Sequence, residues 1–291
     1  MKKFLTVVAL VIIAAGAGWY GAGLRYSEGS TTSETAFERV MRTKTLRCAY
    51  ALWPPSILMK DPNTGKISGA AADIIELLAQ RTGLKVEWTE EVGWSSYIEG
   101  LDTGRYDAFC SMGWLMTERT ARVRYSLPIT YSSLHMYART DDQRFNDGLS
   151  GLNDPAYGIA VMDGEISQKY ATKHFPKARQ VATPQVGDIT QIFLDVATNK
   201  ADVVFNDPSL AREFNEKNPG KLRQVTKEPL AVYANVFAVG FKENDLQEFI
   251  NASLQELFNF GDIDRIFAKY EPDRSVFMPI AKPYVLPAAP Q

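Results

Sequence analysis

At 291 residues, with 45% hydrophobic content and a formal net charge of −2, the chain has the length for one large or two medium domains with substantial cores. Its basic residues are scattered, which leaves no footprint for nucleic acid. There is no phosphate loop and no cofactor motif, and two cysteines with two distant histidines, His135 and His174, make no metal set.

The N-terminus reads as a targeting segment. Lys2 and Lys3 precede an apolar run from Phe4 to about Ala22. That run is long for a signal-peptide core and nearly long enough to span a bilayer. No clean A-x-A follows, so residues 1–26 fit a cleaved signal peptide or a retained inner-membrane anchor, with residues 27–35 as a polar linker. Either way the remainder faces an exported compartment, the periplasm. Residues 1–26 carry three basic residues and no acidic one, so the exported part is mildly acidic. Cys48 and Cys110 both fall in apolar strand patterns. Two buried thiols are the plainer expectation, and a disulfide is permitted by the compartment.

Leu46 to Tyr50 reads as a short strand ended by the breaker Trp53-Pro54-Pro55. A turn at 61–65 precedes a helix over 73–82, striped by Ile74, Ile75, Leu78 and Ala79 and stopped at Gly83. Leu84 to Trp88 alternates like a strand, 95–103 reads as a helix and 106–110 as a third strand. The second series begins after Ser133 to Arg139 and a polar, turn-rich stretch over 141–155. It has strands at 157–162, 179–182 and 202–205 and helices at 166–173, 189–198 and 209–216. A strand at 236–240 follows. Then come a helix striped by Leu246, Phe249, Ile250, Leu254, Leu257 and Phe258, a break at Gly261, and a short helix carrying Ile263, Ile266, Phe267 and Tyr270. A Pro-rich tail from Pro272 to Gln291 is expected on the surface.

One pattern occurs twice. Leu101 to Phe109 and Val196 to Phe205 each read as a helix end, a turn, and a strand opened by an aspartate, Asp107 or Asp202. The chain thus carries two similar α/β lobes. Strands alternating with helices imply parallel sheets, and such sheets bind ligands beyond the carboxyl ends of their strands. That rule picks out Trp53-Pro54-Pro55, Ser111 to Trp114 (with Met112), Asp163-Gly164-Glu165 and Asn206-Asp207, two loops from each lobe.

The order and spacing of several short motifs carry a resemblance. Gly69-Ala70-Ala71-Ala72-Asp73, then Trp94 with Ile98 to Leu101, then Thr117-Glu118-Arg119 followed by Arg124-Tyr125-Ser126-Leu127-Pro128, and finally Asn251 to Tyr270 resemble type II periplasmic solute-binding proteins of family 3, which serve polar amino acid ABC transporters. The resemblance implies an α/β fold of two lobes with parallel or mixed sheets, joined by a two-strand hinge. Lobe 1 would take residues 36–132 plus 233–291, and lobe 2 residues 133–232. It also implies a small amino acid-like ligand in the interlobe cleft, an ABC transporter permease as partner, no cofactor and no catalysis.

By the same resemblance Arg119 clasps a ligand carboxylate, Asp207 meets a ligand ammonium, and Trp53 stacks on the ligand side chain, with Tyr97 on the cleft wall. Plainer roles are a surface salt bridge of Arg119 with Glu118 or a neighbour, a helix N-cap for Asp207, an apolar plug for Trp53 and a core position for Trp94. Three positions depart from the family pattern. Trp114 and Met116 stand where hydroxyl residues are usual, and Glu165 follows Gly164 where a Ser or Thr is common. The cleft loses small donors and gains bulk and acid. Two ligand variants follow: one with an extra amine facing Asp163, Glu165 and Asp207, and one planar, held by Trp53, Tyr97 and Trp114. Two competing functions are a membrane-tethered sensor module and a cyclohexadienyl-dehydratase-like enzyme with Glu165 as general acid.

Overall fold

The computed structural model describes residues 34–185 and 188–281. The N-terminal signal or anchor and most of the linker lie outside the described residues. Among the described residues no helix is long and apolar enough to cross a membrane.

Helix α1 (Ala36–Thr43) leads into strand β1 (Thr45–Tyr50). A small hairpin, β2 (Met59–Lys60) and β3 (Ile67–Ser68), precedes α2 (Ala70–Arg81). The start of α2 requires glycine: Gly69 has φ +118°, and a Cβ there would lie 2.4 Å from the Ile57 carbonyl oxygen. The stripe Ile74, Ile75, Leu78 and Ala79 is buried as its spacing predicts. Strand β4 (Lys85–Glu91), helix α3 (Tyr97–Asp102), and strands β5 (Ala108–Trp114) and β6 (Val123–Tyr125) complete this run.

Strand β7 (Thr130–Arg139) carries the chain onward to β8 (Gly158–Met162), α4 (Ile166–His174), β9 (Arg179–Thr183), α5 (Gln191–Ala197), β10 (Val203–Asn206), α6 (Pro208–Lys217) and β11 (Leu222–Gln224). Strand β12 (Ala231–Gly240) returns it to α7 (Asn244–Asn259), α8 (Asp262–Tyr270) and β13 (Phe277–Met278).

The hydrogen-bonded strand order is β4-β1-β5-β12-β7-β10-β8-β9. The outer pairs on each side are parallel and the three central pairings antiparallel. The first half of β7 pairs with β12, and its second half with β10 and β11. The second half of β12 in turn pairs with β5 and β6. These two strands therefore join one α/β lobe to the other. The repeated aspartates make the same local wiring in each. Asp107 N–H donates to the Arg47 carbonyl at 2.9 Å and its carboxylate accepts from Arg47 N–H at 2.7 Å. Asp202 does the same with Gly158 at 2.7 and 2.6 Å. Each aspartate ties the opening of a lobe's third strand to that of its first.

Two expectations are corrected. Cys48 and Cys110 are not free thiols but a disulfide between adjacent strands β1 and β5, with Cα atoms 5.7 Å apart. The C-terminal tail is not confined to the surface. Phe277 is fully buried, pairs with β7 through Ser132, and packs against Trp53 at 5.8 Å between ring centroids. An aromatic side chain gains more from burial than a Pro-rich composition suggests. The tail beyond residue 281 lies outside the described residues.

Candidate ligand-binding site

The carboxyl ends of β1, β5, β8 and β10 converge, as the parallel-sheet rule expects. From the first lobe come three tryptophans: Trp53 after β1, Trp94 after β4 and Trp114 at the end of β5. Trp53 stands edge-on to Trp94 at 5.4 Å and to Trp114 at 5.6 Å, the geometry that ring quadrupoles favour. Trp114 Nε1 donates to Ser132 Oγ at 2.6 Å. Trp53 Nε1 reaches across to Ser209 Oγ at 3.3 Å, on helix α6 of the second lobe.

The second lobe contributes acid. Asp207 ends β10 and caps α6, with Pro208 as the first helical residue. Its Oδ1 accepts from Ser209 N–H at 2.8 Å, Leu210 N–H at 3.4 Å and the Ser209 hydroxyl. Its Oδ2 is buried with no partner. The N-cap role and a vacant acceptor thus coexist in one carboxylate. Burial pushes the Asp207 carboxyl up to about 6, against the hydrogen bonds from Ser209 and Leu210 that lower it.

Arg119 sits on a turn of 3₁₀-helix, Thr117–Arg119, just past β5. Its side chain is only 11% exposed and does not pair with Glu118. Nη1 donates to the Trp94 carbonyl at 2.9 Å, and Nη2 to the Gly164 carbonyl at 2.7 Å and to Glu165 Oε1 at 3.3 Å. The Tyr97 ring lies under the guanidinium at 5.5 Å and stacks in turn on Phe109 at 4.2 Å. Glu165 is the N-cap residue of α4, though its side chain makes no capping bond. Burial raises its carboxyl pKa, and Arg119 opposes that rise. Glu118 instead pairs with Lys169 of α4 at 2.7 Å. Ser95 bonds Gln185, and Arg212 of α6 bonds Glu271, also across the lobes.

Between these groups lies a cavity of about 30 Å³, lined by the three tryptophans, Glu165, Asp207, Asn206 and Ser167 among others. At roughly 10–15 Å³ per water it holds about two water molecules. Of the residues singled out by sequence, Trp53, Trp114, Glu165 and Asp207 line this cavity. Arg119 reaches it through Glu165, and Tyr97 supports Arg119 from below. Asp163 accepts from Gln168 at 3.2 Å. Met112 is fully buried, at φ +51°, with its carbonyl accepting from Asn235. Trp94 proves to be both packing and wall. Ile189, Asn206, Ser167 and Leu210 also line the cavity. Asn206 stands in the Asn206-Asp207 loop that the strand-end rule picks out, while the others carry no local signal.

A two-lobed α/β body, joined by two strands and holding an arginine and a buried, unpartnered carboxylate oxygen at its seam, defines a solute-binding protein. The chain belongs to the bacterial extracellular solute-binding proteins, family 3, whose family model matches residues 46–273. It is 26% identical over 281 residues to a "Probable histidine-binding protein" of Campylobacter jejuni, covering 93% of this chain and 99% of that one. Among solved structures it resembles a mutant of ArgBP from T. maritima, at TM-score 0.70 and 25% identity, covering 82% of this chain and 100% of that one. It has the same fold as an ancestral amino acid-binding protein described as a precursor of cyclohexadienyl dehydratase, at TM-score 0.70 and 24% identity, covering 81% and 99% of the two chains.

Proposed function

We propose that the protein captures an amino acid or a closely related amine or carboxylate outside the cytoplasm and presents it to the permease of an ABC transporter. The observation that carries this reading is the buried, unpartnered Asp207 Oδ2 facing the tryptophan-walled cavity. A buried charged acceptor without a donor is costly, and a ligand ammonium is the donor it lacks. Relatives named as histidine-binding and L-cystine-binding support the class of ligand.

Lobe 1 is assigned residues 36–132 plus 233–291, and lobe 2 residues 133–232. The ladder pairs Ser132 with Tyr233 and Ser133 with Val232, so both crossings fall at one level of the β7–β12 pair. Rotation there opens the cleft, and ligand shifts the equilibrium toward closure. A cavity of about 30 Å³ admits no amino acid, so capture begins from an opened form. Thermal-shift and calorimetric screening of the common amino acids and their amines tests the reading. At least one should bind with micromolar or better affinity. No binding by any of them overturns it.

Catalysis on this scaffold is the second reading, favoured only by the buried Glu165 carboxyl beside Arg119 and by the dehydratase-precursor fold. Turnover of a cyclohexadienyl acid by the purified protein would establish it. Tethering to the inner membrane by residues 1–26 is a separate question, answered by the mature N-terminus.

A further inference from the structure

The Arg119 guanidinium already holds a carboxylate, and it belongs to the protein. Glu165 Oε1 lies 3.3 Å from Nη2, and both side chains are almost fully enclosed, at 11% and 12% exposure. The other two bonds of this guanidinium go to the Trp94 and Gly164 carbonyls. Among the described residues that line the inner cavity there are two carboxylates, Glu165 and Asp207, and no cation. The cavity is continued past Trp94 and Ile189 by a groove of about 580 Å³ that bears Glu91, Asp188, Glu213 and Lys217, with Glu91 paired to Lys60 at 2.9 Å and Glu213 to Lys217 at 2.6 Å. There too one carboxylate oxygen, Glu213 Oε2, is buried without a partner.

Charge balance then decides what the closed cleft can hold. Arg119 offsets one of the two carboxylates and leaves a deficit of one positive charge. A neutral zwitterion brings none. Its ammonium meets Asp207, but its carboxylate must eject Glu165 from Arg119, leaving Glu165 buried and unpaired, which is strongly unfavourable. A ligand with one further cationic group restores the balance, because the displaced Glu165 then has a partner. Trp53, Trp94 and Trp114 add ring faces that attract cations over neutral groups.

Taking the amino acid reading above as given, we propose that Glu165 is a resident carboxylate that ligand must exchange on Arg119, and that it selects amino acids with a cationic side chain over their neutral isosteres. Glu165 is thus a specificity-determining residue, placed where a hydroxyl would impose no such condition.

The test is calorimetric titration of the full-length protein with arginine and its neutral isostere citrulline, and with lysine and glutamine, at one ionic strength. The wild-type protein should bind the cationic member of a pair at least about tenfold more tightly. Glu165→Gln should bring that ratio to within about threefold, chiefly by tightening the neutral member, since an amide leaves no buried charge when displaced. Glu165→Ser provides the same reading should the amide variant fold poorly, with circular dichroism reporting the fold. Equal wild-type affinity within each pair, or an unchanged ratio in both variants, overturns the proposal while leaving amino acid capture standing. Absence of binding by every amino acid tried removes the underlying reading, and this proposal with it.

Discussion

Arg119 and Glu165 stand 3.3 Å apart although they lie in different lobes. Together with the Lys169–Glu118 pair at 2.7 Å and the Trp53–Ser209 contact at 3.3 Å, they bridge the cleft from one lobe to the other. Arg119 therefore bridges the two lobes, besides the ligand role proposed for it above.

Arg119→Ala should abolish the thermal shift given by the best ligand, because among the described residues no cation lines the inner cavity and Arg119 is the one paired with its Glu165. It should also raise the radius of gyration of the ligand-free protein in solution scattering, since three bonds across or beside the seam are lost. A compact, ligand-responsive Arg119→Ala protein would refute both roles.

Asp207 links function to pH. The folded carboxyl titrates at about 6 against an ordinary 3.8. Between those values the native state holds a proton that the unfolded chain releases. Stability from this residue is therefore greatest at low pH and is lost as pH rises through about 6, by about 3 kcal/mol in all. Asp207→Asn should raise the melting temperature at pH 8 and leave it nearly unchanged at pH 4. The same substitution should weaken ligand binding at pH 8 by tenfold or more, because an ammonium needs the ionised acceptor. A stability gain of equal size at both pH values would show that burial of charge is not its cause.

The Cys48–Cys110 bond closes a separation of 62 residues. Loop-closure entropy for that length amounts to roughly 4 kcal/mol. The Cys48→Ala, Cys110→Ala double variant should lose about 3–4 kcal/mol of unfolding free energy in urea, with ligand affinity unchanged.

The two repeat aspartates should behave alike. Asp107 is held by the guanidinium groups of Arg39 and Arg47 and by Arg47 N–H. Asp202 is held by Arg144 at 2.5 Å and by Gly158 N–H. Each substitution to Ala should cost about 3 kcal/mol by stranding buried partners, and neither should alter ligand selectivity.

Much of this architecture was legible along the chain. The stripe at Ile74, Ile75, Leu78 and Ala79 announces a helix because its spacing is local and matches the helical period. The four candidate loops at the strand ends follow from strand and helix alternation alone. The first half of β12, residues 231–235, escaped notice because Ala231, Tyr233 and Asn235 show no apolar alternation; that half is specified by its pairing with β7. Phe277 was lost in the composition of the Pro-rich tail.

The sequence by itself determined the element types and the doubled lobe, and it named the candidate groups for meeting a solute. Only the tertiary structure decided which of those groups meet each other. Glu165 follows Arg119 by 46 positions, and Cys110 follows Cys48 by 62. Periodicity reports which face of an element is buried, but the partner across a seam depends on strand order and lobe closure, which no local pattern encodes.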